Sequence, residues 1–185
     1  MNALQCKPPN PLNRQRHTMR IGFETWESPV GTLTIAATAE AVYAVAFDSN
    51  WQHIRTKLGE VQAHSNAMTR ETISQLQAYF AGTRRTFDLP LSVYGTDFQQ
   101  RTWQALRDIP YGETRSYSEQ AQMIGQPQAV RAIGHTNGLN PISIIVPCHR
   151  VIAKSGKLAG YAGGLAAKAY LLALESYSRN RSNAT

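Results

Sequence analysis

Hydrophobic and polar positions change rhythm twice along this 185-residue chain. Residues 1–18, MNALQCKPPNPLNRQRHT, keep no sustained period and are rich in Pro, Asn and Arg, which predicts a flexible extension. From residue 19 to 93 the short β-type runs GTLTIAAT and AVYAVAF are joined by turn residues. A helical pattern in AMTRETISQLQAYFAG follows, with Ile73, Leu76 and Phe80 on one face. These features predict a small α+β unit.

Residues 94–178 change to helical punctuation and predict a second, mostly helical unit, with 179–185 as a tail. Asp97 is placed to cap a helix that runs through Leu106 and ends before Pro110. Ser116 and Glu119 stand at capping-box spacing and open a short helix that Gly125 closes, and Pro127 falls where the first turn of the next helix would begin. Two short helices around a glycine-containing turn form a helix-turn-helix pattern. On its second helix Val130 and Ile133 are expected to face in, while Gln128, Arg131 and His135 share the outer face. Ala129, Ala132 and Gly134 keep that helix slim. Paired short helices also pack against each other without binding anything, so the pattern alone does not assign DNA binding.

Ile142–Val146 is short, uncharged and rich in β-branched residues, as in a strand buried on both faces, and Pro147 marks its end because it has no N–H to donate. Cys148, His149 and Arg150 follow. A lone cysteine in such a place is either a small core hydrophobe or a reactive thiol. His149, Arg150 or a helix N-terminus would lower the thiol pKa from its usual value of about 8.5. Neighbours on an extended backbone point to opposite sides, so His149 would reach the sulfur only through a water or a bend at Pro147. Glu175 is the leading carboxylate to fix the His149 tautomer, although a lone Glu near a chain end is also commonly a solvated residue.

Composition narrows the classes. Hydrophobic residues make up 42% of the chain, enough to bury a core. The longest uncharged apolar stretch, PISIIVPC, is too short to span a bilayer, and the first twenty residues lack the apolar centre of a signal peptide. Two cysteines make a poor disulfide framework, so reduced thiols and a cytoplasmic location are expected. No metal is expected: Cys6 lies far from Cys148, and His17, His53, His64 and His135 are scattered. The net charge of +7 divides into +4 over residues 1–20 (four basic, no acidic), −2 over 21–93 (five against seven) and +5 over 94–185 (ten against five). A polyanionic partner would meet the C-terminal half.

IVPCHRVI, preceded by RAIGHTNGLNP and followed by GYAGGLAAKAYLLALE, resembles the O6-alkylguanine-DNA alkyltransferases, or methylated-DNA protein-cysteine methyltransferases. The resemblance runs from about Thr96 to Glu175. It is looser in the N-terminal unit, where WESPVGTLTIAA and a helix ending in YFAGT carry it. It implies an RNase H-like N-terminal domain with an antiparallel sheet, followed by a helical catalytic domain with a helix-turn-helix. It further implies a cofactor-free, monomeric protein that binds the minor groove of double-stranded DNA and flips out an alkylated guanine. The alkyl group then moves irreversibly to the protein's own cysteine, with O4-alkylthymine as a further substrate.

Residue by residue, the resemblance makes Cys148 the acceptor and reads Glu175, His149, a water and Cys148 as a relay. Tyr117 would interact with the base as its charge develops, and Asn140 would steady the turn before the active-site strand. The second helix, with Gln128, Ala129, Arg131, Ala132, Gly134 and His135, would enter the groove, and Arg131 would fill the gap left by the flipped base. Tyr161 would touch the base, the Ala162 N–H would reach its O6, and the carbonyls of Cys148 and Val151 would accept from its exocyclic amine. Two other classes remain in view. A lesion-marking alkyltransferase-like protein lacks the acceptor cysteine, and a cysteine hydrolase would turn over repeatedly.

Overall fold

The structure is a computed structural model that describes residues 20–182; the expected extension over 1–18, with Cys6 and His17, lies outside the described residues. Three strands form first: β1 (Ile21–Ser28), β2 (Gly31–Ala37) and β3 (Val42–Phe47), antiparallel in sequence order. Gly31, at φ 108°, makes the first turn, and the Thr38 hydroxyl accepts from the N–H groups of Glu40 and Ala41 in the second. After helix α1 (Asp48–Leu58), the short β4 (Val61–Ala63) joins β1 in parallel, so the sheet of order β3-β2-β1-β4 is mixed, beyond the antiparallel pairing expected. Helix α2 (Ala67–Phe80) opens on a capping box between Asn66 and Thr69.

Alternation along the strands separates two cores. Ala36, Ala44 and Ala46 face Trp51 and Ile54 of α1, whereas Leu33, Ile35 and Val45 belong to a larger cluster with Leu76 and Tyr79 of α2. That larger cluster continues through Trp103, Leu106, Ile142, Val146, Cys148 and Leu171, so the two halves of the chain share one core.

The second half comprises α3 (Asp97–Arg107), β5 (Arg115–Ser116), α4 (Tyr117–Met123), α5 (Val130–Gly138), a 3-10 turn at Cys148–Arg150, β6 (Val151–Ile152) and α6 (Gly164–Ser182). Thr96, not Asp97, caps α3 by accepting from Gln99 N–H; Asp97 is the first helical residue, where its charge suits the helix dipole. Ser116 and Glu119 form the capping box of α4, and Gly125 follows that helix at φ 70°. Helix α5 starts only at Val130, so Pro127 and Gln128 lie in the preceding turn and Ala129 is the cap. Val130 is exposed rather than inward-facing; Ile133 alone of that pair is buried. The amides of Gln120 and Asn137 bond reciprocally at 3.2 and 2.7 Å, and Trp103 donates to the Thr136 carbonyl. These buried bonds fix α3, α4 and α5 to one another. Helix α6 extends past residue 178 into the expected tail.

The apolar run 142–146 is buried as expected, but it is not a strand. Its first residues extend the β3 edge: Val45 donates to the Pro141 carbonyl at 3.0 Å and Ser143 donates to the Val45 carbonyl at 2.8 Å. The chain then folds back, with Val146 N–H on the Ile142 carbonyl and Ile144 at φ 71°. An apolar run reports burial, not where its backbone bonds go, and here prolines at 141 and 147 remove the donors a continuing ladder would need. The left-handed Ile144, a conformation costly for a β-branched residue, is held by its complete burial.

Candidate active site

Cys148 opens the 3-10 turn at the end of this folded segment, with its side chain 8% exposed. Asn140 holds the turn together. Its amide donates to the Val146 carbonyl at 2.7 Å and to Cys148 Sγ at 3.3 Å, while its carbonyl oxygen accepts from Ile142 N–H at 3.0 Å. One side chain therefore satisfies the backbone on both sides of the turn and touches the sulfur.

His149 and Arg150 are buried and bond to Glu175 on α6. Glu175 accepts five hydrogen bonds. Oε1 takes them from Tyr79 Oη at 2.8 Å, His149 Nε2 at 2.8 Å and Arg150 Nη2 at 3.0 Å; Oε2 takes them from Arg150 Nε at 2.9 Å and Gly112 N–H at 3.0 Å. Burial alone would raise the Glu175 pKa, but His149 and Arg150 outweigh it and hold the carboxyl at about 2. Burial lowers the His149 pKa despite the opposing pull of Glu175, so the imidazole is neutral. A neutral imidazole facing an ionised carboxylate donates its Nε2–H, which leaves Nδ1 as the basic nitrogen. Nδ1 is buried and makes no hydrogen bond to the protein.

The thiol differs from the sequence expectation. Burial pushes the Cys148 pKa up, against the smaller opposing pull of the Asn140 hydrogen bond, the charge of Lys168 and its own backbone N–H. His149 does not lower it, being neutral, and the Arg150 charge is already paired with Glu175. The resting sulfur is therefore a protonated thiol that needs a base.

Lys168 is fully buried on α6 and donates to the carbonyls of Val151 and Ala159 at 2.7 and 2.8 Å. β5 pairs with β6, Ser116 against Ile152, and so brings Tyr117 beside the site, with its hydroxyl 3.4 Å from the Ala159 carbonyl. Burial raises the pKa of both Tyr117 and Tyr161, and the charge of a Cys148 thiolate raises both further. Tyr161 presents its ring edge-on to His149, with centroids 6.4 Å apart, and its buried hydroxyl has no protein partner. Ala162 follows it in the same partly exposed loop. Cys148, His149, Glu175, Asn140, Tyr117, Val151 and the Tyr161–Ala162 loop thus converge. Gln128, Arg131, Ala132 and His135 stay together on an exposed face outside this cluster, with Ala129 and Gly134 partly covered. A Cβ added at Gly134 would meet the Tyr117 ring at 3.8 Å, an ordinary contact distance.

Tyr79, Lys168 and the pairing of Arg150 with Glu175 were not foreseen. For Lys168 the sequence carries a signal: Lys168, Leu171, Glu175 and Ser178 recur at helical spacing, and all four are buried. Two charges on the buried stripe of a helix imply buried partners. Among the described residues no group of three His, Cys, Asp or Glu is arranged to hold a metal ion.

Comparison with known proteins agrees over nearly the whole described chain. Residues 21–93 match the family model described as 6-O-methylguanine DNA methyltransferase, ribonuclease-like domain, and residues 97–177 match its DNA binding domain. A methylated-DNA–protein-cysteine methyltransferase of Methanosarcina acetivorans is 47% identical over 153 residues, which is 83% of this chain and 97% of the relative. The Mycobacterium tuberculosis protein of the same name is 50% identical over 157 residues, 84% of this chain and 92% of the relative. The crystal structure of Mycobacterium tuberculosis OGT in complex with DNA superposes with a TM-score of 0.77 at 46% identity, covering 85% of this chain and 94% of that one.

Both shifted groups at Glu175 tie stability to pH in the same direction. The unfolded chain regains ordinary pKa values of about 6.5 and 4.3 for His and Glu, so it takes up protons before the folded protein does. Their contribution to stability is full above about pH 6.5, declines below it as His149 is charged, and declines again below about 4.3 as Glu175 is protonated toward its folded value of about 2. Glu175→Gln leaves Arg150 buried without its counter-charge and is expected to lower stability by about 3–5 kcal/mol, measured by urea denaturation at pH 7. The variant should also show a shallower decline below about pH 4.3, because the Glu175 share of it is gone.

Proposed function

The chain belongs to the 6-O-methylguanine DNA methyltransferase family, and from that premise we propose that it repairs DNA by moving the alkyl group of O6-alkylguanine, and of O4-alkylthymine, irreversibly onto Cys148. The observation that carries this reading is the division of labour at His149: Nε2 is committed to an ionised Glu175, and Nδ1 is left as a buried base without a protein partner, one residue along the chain from a thiol that burial keeps protonated. Through one water, Nδ1 takes the thiol proton. The imidazolium that forms is stabilised by Glu175, and the thiolate is stabilised by Asn140 and Lys168. Sγ then attacks the alkyl carbon, a C–S bond forms, and the C–O6 bond breaks with its electron pair passing to the guanine. Tyr117 hydrogen-bonds the base as that charge develops. The Ala162 N–H receives O6, Tyr161 covers the ring, and the carbonyls of Cys148 and Val151 accept from the exocyclic amine. Val151 already accepts from Lys168 and retains a second lone pair for this.

The N-terminal unit, residues 19–93, supports a catalytic and DNA-binding unit over 94–178. Double-stranded DNA meets the exposed face of α5, which enters the minor groove with Gln128 and Ala129 at its mouth and Arg131, Ala132, Gly134 and His135 along it. The +5 charge of the C-terminal half favours that face. Arg131, exposed at the start of α5, fills the space vacated by the flipped base. The protein works as a monomer without a cofactor in a reducing, cytoplasmic setting, and among the described residues no helix is long and apolar enough to cross a membrane.

A thioether is a poor leaving group, so each molecule acts once. Intact mass after incubation with methylated DNA should rise by one methyl group in place of hydrogen, mapped to Cys148, whereas a cysteine hydrolase would repair many lesions per molecule. Arg131→Ala should slow repair of duplex DNA roughly tenfold or more while leaving transfer from free O6-benzylguanine little changed, because a free base needs no extrusion. Arg131→Lys retains the charge but not the planar guanidinium, and should remain impaired on duplex DNA. Equal losses on both substrates would place Arg131 in the fold or the pocket instead.

A further inference from the structure

The loop Gly160–Gly164, which carries Tyr161 and Ala162, is held partly from the other half of the molecule. Ser49, in the first turn of α1, donates its hydroxyl hydrogen to the Ala162 carbonyl at 2.5 Å. Phe47, the last residue of β3, meets the Tyr161 ring nearly edge-to-face with centroids 5.5 Å apart. The same ring presses on the loop backbone: a Cβ at Gly163 would lie 2.5, 2.6 and 3.0 Å from Phe47 Cζ, Cε1 and Cδ1. From its own half the loop has a turn bond, Gly164 N–H to the Tyr161 carbonyl at 2.9 Å, and the grip of Lys168 on the Ala159 carbonyl just before it. Gly160 and Gly164 adopt left-handed φ values of 27° and 82°. A glycine-rich segment with so few bonds of its own has many alternatives to the observed conformation.

We propose that Phe47 and Ser49 are positioning residues for alkyl transfer, through which the N-terminal unit clamps the loop in its base-receiving conformation. The proposal rests on the assignment of Tyr161 and Ala162 to the base pocket. The clamp acts at both of them. Ser49 fixes the orientation of the Ala162–Gly163 peptide, which restricts the loop backbone on the C-terminal side of the Ala162 N–H, while Phe47 backs the Tyr161 ring. Phe47 is itself rooted in the shared core beside Leu33 and Val45 and is only 5% exposed, so the clamp has a rigid base. Ser49 is exposed, and its hydroxyl is removable with little disturbance to packing.

The test uses the full chain and follows loss of the free Cys148 thiol in a single turnover with O6-benzylguanine, which isolates the pocket from DNA binding. Ser49→Ala should slow transfer roughly tenfold, the effect of one lost positioning hydrogen bond, and Ser49→Thr should restore the rate while the thermal midpoints of both match the parent. Gly163→Ala should slow the parent roughly tenfold or more, yet slow a Phe47→Leu background less than about twofold, because leucine lacks the ring carbons that an added Cβ would meet. A general loss of stability would not depend on the background in this way. A Ser49→Ala variant as fast as the parent, or a Gly163→Ala effect of equal size in both backgrounds, would overturn the proposal. A parent protein that never alkylates Cys148 would remove the pocket assignment and the clamp with it.

Discussion

The carboxylate of Glu175 is the point on which the site's geometry depends. A buried negative charge is tolerated only if its lone pairs are filled, and here five donors fill them: a tyrosine of α2, a backbone N–H at Gly112, both nitrogens of one edge of Arg150, and His149. Arg150 supplies the charge balance, which frees His149 to remain a neutral base. If His149 were the only partner of Glu175, it would be drawn toward the imidazolium and would lose its capacity to accept the thiol proton. The carboxylate thus fixes the histidine's tautomer, while burial and the Arg150 charge keep the ring neutral against its pull.

The N-terminal sheet is part of this arrangement rather than an appendage. β3 is an edge strand, yet all of it is buried, because residues 90–92 bond to one end of it and Pro141–Ser143 bond along it. An open edge in need of partners and a segment flanked by prolines satisfy each other. The consequence is that the turn bearing Cys148 is pinned to the sheet at Val45, that α2 sends Tyr79 to Glu175, and that the end of β3 meets the loop that precedes α6.

Local chemistry made much of this legible in the sequence, and long-range chemistry did not. The Ser116–Glu119 capping box and the glycine after α4 are decided within a few residues, and they stand where the pattern placed them. The cap of α3 was misplaced by one residue because Thr96 and Asp97 are both good caps, and the choice turned on which one Gln99 bonded. Burial of Ile142–Val146 was readable, but the fold-back at Ile144 was not, since it depends on bonds to β3 from a distant part of the chain. The direction of the Cys148 shift was missed for a related reason. Sequence proximity places two cations next to the thiol, whereas the fold turns both toward Glu175 and leaves Lys168, twenty residues on, as the cation that acts on sulfur. Val130 shows the limit of periodicity at a helix start, where the first turn often lies outside the packed face.

The central claim, that burial keeps His149 a neutral imidazole while Glu175 holds its proton on Nε2 and leaves the lone pair on Nδ1, is open to direct measurement. Nitrogen-15 NMR of the histidine side chains, with His149 assigned by the loss of its signals in His149→Gln, reads the state of each ring nitrogen. The account predicts a protonated Nε2 and an unprotonated Nδ1 at pH 7, with imidazolium forming only below the ordinary histidine value of about 6.5. A proton on Nδ1, or an imidazolium already present at neutral pH, would contradict it.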